Sequence, residues 1–325
     1  MKSRPRIFIS APLPGDADSR IQTAGDVILG ESGVGVRGDA FLARAASCDA
    51  IVTLLTDRVD AALLDRLPAL RLVANVAVGT DNIDLARCAA RQVVVTNTPG
   101  VLTEATADLA FGLLLAASRR IAEGDRMVRA GDFHGFRFDT LVGARVHGAT
   151  LGIVGFGRIG QAMARRARGF GMHVLYTQRT PLIPRLETAL GATFVPLDAL
   201  FAQSDVVALH CPLTDETQHL VSTRLLASMR PGSILINTAR GACVDEAALA
   251  IALRDGPLAA AGLDVFARES ATTVRIDSEL LARANVVFTP HIASADLSTR
   301  IAMAETAARN VVAFFHDGSP PNVVR

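Results

Sequence analysis

Gly155, Gly157 and Gly160 stand at GxGxxG spacing in LGIVGFGRIG, after an apolar run and ahead of a helical stretch from Arg158 to Arg168. In that context the spacing has a mechanism. Gly155 permits a tight turn, Gly157 lets the backbone approach a pyrophosphate, and Gly160 lets helix and strand pack closely. Phe156, Arg158 and Ile159 complete the turn, and the free N–H groups of the helix start face the phosphates. A dinucleotide site is therefore expected here. Roughly 20 residues past such glycines an NAD site presents an acid to the ribose diol. This chain offers Gln178, Arg179 and Thr180 instead. A neutral side chain removes repulsion against a 2′-phosphate, and an arginine pairs with it through charge-assisted bonds. The reading favours NADP(H) and leaves NAD(H) open.

Three later segments carry reactive side chains near strand ends: Arg240 in INTARGACVDEAAL, Glu269 in GLDVFARES and His291 in VVFTPHIASAD. Together with NVAVGTDNID at residues 75–84 and VTNTPGVLTEATADLA at 95–110, they closely resemble the D-isomer-specific 2-hydroxyacid dehydrogenases. Within that family the glyoxylate/hydroxypyruvate reductases are the nearest in pattern. The resemblance runs from about residue 50 to residue 315, with several long motifs in the same order.

The resemblance implies that His291 is the general acid/base, that Glu269 is its partner, and that Arg240 binds the substrate carboxylate and carbonyl. The backbone around Val78 and Gly79 would help hold the carboxylate. Thr106, Cys211, Pro212, Thr238, Ala239 and Asp264 would line the cofactor, and no metal is expected. The chemistry accounts for these residue types. Hydride delivered to a keto carbon leaves an alkoxide unless a proton arrives, and histidine titrates near working pH. A neighbouring carboxylate favours the protonated ring and fixes its orientation. An arginine fork grips two oxygens and polarises the carbonyl.

One departure stands out. Related chains commonly have proline after the glutamate; here Ser270 follows, and the stretch from Ser270 to Ile276 is longer than usual. This loop is expected to hold Glu269 differently. The other six histidines (134, 147, 173, 210, 219 and 316) read as structural.

These residues need a scaffold of strand ends. Short β-branched runs alternate with Ala/Leu/Arg stretches of helical period, the pattern of an α/β protein with parallel sheets. Residues 6–10, 50–55, 71–76 and 92–97 read as one series of strands, apolar at nearly every position and so buried on both faces. A second series starts at Thr150 and continues at 173–177, 206–209, 233–237, 260–265 and 286–289, and a last helix runs from about Ala295 to Phe315. Residues 101–130 read as one long apolar helix, expected in a subunit interface of a homodimer. The resemblance implies two doubly wound domains, a Rossmann-like nucleotide domain (99–291) inserted in a flavodoxin-like substrate domain (1–98 and 292–325). The active site is expected in the cleft.

Composition excludes other classes. Lys+Arg number 33 against 32 Asp+Glu, so no basic excess points to nucleic acid or an anionic membrane. The apolar runs fall short of the ~20 residues of a membrane span, and the N-terminal run is too short for a signal peptide. Four scattered cysteines fit a reducing cytoplasm. The resemblance implies a small 2-keto or 2-hydroxy acid as the partner. Other substrate specificities remain open, 2-ketogluconate or a bulkier keto acid among them. A phosphite-oxidising branch is disfavoured because Asn75 to Gly79 contains no lysine. A cofactor-sensing binding protein on the same fold is the alternative from another class.

Overall fold

The computed structural model describes residues 4–31, 38–269 and 273–324. It divides into two compact units. One gathers the chain up to Leu102 with the residues from Ser294 onward, and the other comprises Thr103–Glu269 and Val274–Ala293.

The first unit is a five-stranded parallel sheet of β1 (Arg6–Ile9), β2 (Asp26–Leu29), β3 (Ala50–Thr53), β4 (Leu72–Asn75) and β5 (Val94–Thr96). Its order is β2-β1-β3-β4-β5, the flavodoxin-like arrangement. β3 and β4 are buried at every position because helices cover both faces of a parallel sheet. One cover is the helix Leu297–His316, started by Asp296, whose carboxylate accepts the Thr299 N–H. Its Met303, Ala304, Ala307, Ala308 and Val311 pack with Ile7, Ile9, Val52 and Leu72. The edge strand β2 is absent from the sequence reading. It is half exposed, so it lacks the continuous apolar run that marks its neighbours.

The second unit holds a seven-stranded parallel sheet. Its strands are β6 (Thr150–Val154), β7 (His173–Thr177), β8 (Ala192–Phe194), β9 (Val206–Leu209), β10 (Ser233–Asn237) and β11 (Leu258–Leu263), with β14 (Val286–Phe288) last. The order β14-β11-β10-β9-β6-β7-β8 reverses between β6 and β9, which is the Rossmann switch point. A short antiparallel hairpin of β12 (Arg268–Glu269) and β13 (Val274–Arg275) stands apart from it.

The long helix expected over residues 101–130 is two helices, Thr103–Ser118 and Ile121–Ala130. The break has a tertiary cause. The Ser118 carbonyl, free at the helix end, accepts the N–H of Ala144 from the returning chain, and Arg120 adopts a left-handed conformation (φ 51°). One face of the first helix is packed within its own unit. Ala110, Phe111, Leu113, Leu114 and Ala117 are buried in their own unit against Leu151, Ile153, Met163 and Ile234. Among the described residues, no helix is long and apolar enough to cross a membrane.

Candidate active site

The glycine turn joins β6 to the helix Arg158–Gly169 at the switch point. Gly155 has φ +88°, and a Cβ there would lie 2.6 Å from the backbone of His210 and Cys211. Gly160 packs on the Gly155 carbonyl, where a Cβ would come within 2.3 Å. Gly157 caps the helix and faces open space, so a ligand can reach its backbone. The side chain of Phe156 is buried and stacks on Tyr176 with centroids 4.2 Å apart, which leaves only its backbone to the turn. Tyr176 in turn bonds Glu187 and accepts the Leu182 N–H, both at 2.7 Å, and so anchors the loop after β7. That loop carries Gln178, whose amide donates to the Thr180 carbonyl at 2.7 Å, and the exposed Arg179. Arg179 makes no hydrogen bond or ion pair among the described residues; the Thr214 hydroxyl holds the Glu216 carboxyl below its usual range, with a smaller contribution from the charge of Arg179.

The three reactive residues all belong to the second unit. His291 and Glu269 meet directly, Nδ1 to Oε1, at 2.5 Å. With Nδ1 taken by the carboxylate, Nε2 is the ring atom left to handle a proton. Glu269 pairs with Val274 in the β12/β13 hairpin. Ser270, which replaces the usual proline, lies outside the described residues.

His291 occupies a left-handed conformation, φ 53°, uncommon for a residue with a side chain. Asp264, fully buried at the end of β11, imposes it. The Asp264 carbonyl accepts the His291 N–H at 2.9 Å. Its carboxylate accepts the Thr289 hydroxyl and the N–H groups of Ile292 and Ala293, at 2.6, 2.8 and 2.9 Å. Burial pushes this carboxyl up, against those bonds and the field of His291, which favour the anion.

Arg240 follows β10 on a turn clasped by the buried Asn237. The Asn237 amide accepts the Ala239 N–H at 3.0 Å and donates to the Arg240 carbonyl at 2.9 Å. The guanidinium bonds the Ala239 carbonyl at 2.7 Å. Gly241 then abuts the Phe266–Ala267 backbone so closely that a Cβ would lie 1.8 Å from the Phe266 carbonyl carbon. The turn of Arg240 is thereby packed against the segment that leads to Glu269.

The remaining residues fall in two places. Val78 and Gly79 follow β4 in the first unit. Their carbonyls are tied down by Asn97 at 2.8 Å and Asn75 at 2.9 Å. Their N–H groups have no partner among the described residues. Cys211, Pro212, Thr238 and Ala239 follow β9 and β10 in the second unit, at the carboxyl edge of the sheet beside the glycine turn, and the partly exposed Ala239 flanks Arg240. Thr106 is buried in the helix Thr103–Ser118. The free Cys211 thiol is hydrogen-bonded with the Cys243 thiol, which together with burial pushes it up.

His210 is the residue sequence reasoning passed over. Both of its ring nitrogens are buried without a partner, and burial pushes its pKa down to about 4. The Thr238 hydroxyl beside it is also buried and unpartnered. A structural histidine ordinarily finds a hydrogen bond. The signal available was position: His210 directly follows β9, one of the two switch-point strands. Open backbone at Gly157 and unsatisfied polar atoms at His210 and Thr238 together fit a dinucleotide held along this edge.

Comparison with known proteins agrees with this geometry. Residues 111–293 match the family model described as D-isomer specific 2-hydroxyacid dehydrogenase, NAD binding domain. The glyoxylate reductase of Thermococcus litoralis is 45% identical over 325 residues, covering 99% of this chain and 97% of that protein. The glyoxylate reductase of Korarchaeum cryptofilum is 46% identical, covering 99% and 96%. Among solved structures, a Thermus thermophilus protein superposes with a TM-score of 0.89 at 42% identity, over 98% of this chain and 100% of its own. An NADPH-dependent glyoxylate/hydroxypyruvate reductase of Sinorhizobium meliloti, in complex with NADP and malonate, gives 0.87 at 35%, over 99% and 97%.

Proposed function

This chain belongs to the D-isomer specific 2-hydroxyacid dehydrogenases, NAD(P)-dependent oxidoreductases, and we propose that it is an NADPH-preferring reductase of glyoxylate and hydroxypyruvate. The 2.5 Å contact of His291 with Glu269 carries the reading, because it sets a proton-donating ring in a fixed orientation. The nicotinamide, when bound, supplies the hydride. His291 Nε2 delivers a proton to the carbonyl oxygen, and Glu269 stabilises the charged ring beforehand. Arg240 binds the carboxylate and polarises the carbonyl. The unpartnered N–H groups of Val78 and Gly79 suit a carboxylate as well. In this reading the unit built on the flavodoxin-like sheet is the substrate domain and the other is the nucleotide domain.

The relatives named glyoxylate reductase support the substrate class, and Arg179 without an acid beside it at the β7 end supports NADPH. We assign a homodimer from the segment after the helix Ile121–Ala130. There Phe136 and Phe138 are 82% and 93% exposed, and Phe133 and Val142 are exposed with them. Such a run of apolar side chains marks an association surface. Four free cysteines fit a reducing, cytoplasmic setting.

The test is a screen of glyoxylate, hydroxypyruvate, pyruvate and 2-ketogluconate with both reduced cofactors, followed by loss of their absorbance. The highest kcat/KM is expected for glyoxylate or hydroxypyruvate with NADPH. A higher value for 2-ketogluconate would reassign the substrate, and no turnover of any keto acid would overturn the proposal.

A further inference from the structure

We infer that Glu246 is a positioning residue for the Glu269–His291 pair, acting through the backbone N–H of Ala267; the inference rests on the reductase reading given above. Glu246 opens the helix Glu246–Arg254, which follows the turn of Arg240. Its Oε1 accepts the Ala267 N–H at 2.7 Å, across 21 residues of chain. Ala267 lies two residues before Glu269.

Among the described residues, the turn that leads to the glutamate is held by the packing of Val265 and Phe266 and by few hydrogen bonds, of which this one is short. Asp264 anchors the end of β11, and Glu269 enters the hairpin. Between them the chain has only a turn. The Glu269 carboxylate reaches back to the Phe266 N–H at 3.4 Å, a long and weak contact. On the other side, Gly241 presses on the Phe266–Ala267 backbone. Beside the packing of Phe266 on the core, two features of one segment fix the turn, Gly241 by contact and Glu246 by a hydrogen bond. The same segment begins with Arg240, so a single stretch of chain from 240 to 246 sets the arginine and braces the glutamate.

Without an acceptor, the Ala267 N–H would seek water and the turn would relax. A carboxylate that drifts from Nδ1 loses much of its hold on the imidazolium, because the interaction falls with distance and rises in effective dielectric. The groups acting on His291 are Glu269 from the hairpin and the Asp264 carboxylate from the end of β11. Only the first depends on Glu246.

An ordinary structural role makes a different prediction. An acid in the first turn stabilises a helix through the macrodipole, and that effect needs the charge. Bracing Ala267 needs only an acceptor oxygen, which glutamine retains. The experiment follows the hydrogen-bonded Nδ1 proton of His291 by NMR in full-length wild type, Glu246→Ala and Glu246→Gln, the signal assigned by its loss in His291→Ala. Glu246→Ala should lose this signal or move it well upfield as the bond to Glu269 loosens, and Glu246→Gln should stay near wild type. In turnover, Glu246→Ala should lose about tenfold or more in kcat with the keto-acid KM within about threefold, as expected when a proton donor is misplaced. An unchanged Nδ1 signal in Glu246→Ala, or a signal in Glu246→Gln altered as much as in Glu246→Ala, overturns the inference. If wild type reduces no keto acid, the functional reading fails, and the Nδ1 signal still decides this one.

Discussion

Asp264 and His291 are joined through the main chain: the carbonyl of the first accepts the N–H of the second at 2.9 Å, while their side chains point to different tasks. The Asp264 carboxylate secures Thr289, Ile292 and Ala293, the residues on either side of the histidine. His291 is thereby kept in a left-handed backbone conformation that a bulky residue does not adopt without support. The ring is left free to meet Glu269. The backbone strain and the proton chemistry are thus handled by separate groups.

Asp264→Ala should therefore be costly in two ways. Three donors lose their acceptor, the Ala293 N–H in a buried bond and the Thr289 hydroxyl and Ile292 N–H in part-buried ones, and an unsatisfied buried group costs about 1–3 kcal/mol. Urea unfolding should register a loss of about 2–3 kcal/mol, mostly from the buried Ala293 donor. Turnover should fall with it because the turn of His291 relaxes. Stability within about 1 kcal/mol of wild type would mean that the turn holds without the carboxylate.

The proton donor and the substrate arginine separate kinetically. His291→Ala should lose roughly 10²–10⁴-fold in turnover, with cofactor affinity little changed. Arg240→Ala should chiefly raise the keto-acid KM, with some loss of kcat from the unpolarised carbonyl. Near-wild-type turnover in the histidine variant removes His291 from the chemistry, and unaltered substrate kinetics in the arginine variant removes Arg240 from binding.

What could be read from sequence was what repeats locally. The glycine spacing is legible because the turn, the strand and the helix start are consecutive, and buried strands such as Ser233–Asn237 announce themselves by unbroken apolar residues. Edge strands escaped, since Asp26–Leu29 and Ala192–Phe194 are short and partly exposed. The helix break at Arg120 also escaped, because its cause is a bond from Ser118 to Ala144, which comes after a whole further helix. The braces of the site were hidden for the same reason. Asp264 serves residues about 25 positions away, and Glu246 serves Ala267; in both cases spacing carries no trace of the contact. His210 needed the strand order before its position meant anything.

His210 makes a prediction about acid. In the folded protein its pKa is depressed from 6.5 to about 4 by burial. The unfolded chain takes up a proton as pH falls through 6.5, whereas the folded chain resists until about 4. Stability is therefore lost across that window, by up to about 3 kcal/mol. His210→Gln should flatten this part of the curve relative to wild type, measured by urea unfolding of cofactor-free protein. Taking the difference between the two proteins cancels the contribution of Asp264, common to both. Parallel curves would show that His210 is already protonated or paired in the folded state.

Cofactor choice turns on Arg179. It stands on the loop after β7, anchored by Tyr176, with Gln178 folded back on the Thr180 carbonyl. No carboxylate occupies the Gln178–Thr180 stretch to accept a ribose diol. Arg179 acts on the Glu216 carboxyl through its field and not through an ion pair. A guanidinium left this way can close on a 2′-phosphate, and a hydrogen bond to a charged group is worth about 1.5–3 kcal/mol. Arg179→Ala should then weaken NADPH binding by roughly ten- to a hundredfold. NADH carries no such phosphate, so its binding should hardly change. Gln178→Asp should act in the same direction, by repelling the phosphate and restoring a diol acceptor. The measurement is kcat/KM for both cofactors in wild type and the two variants. A wild type that prefers NADH, or an arginine variant that loses both cofactors equally, would make Arg179 a surface charge and return the enzyme to NAD.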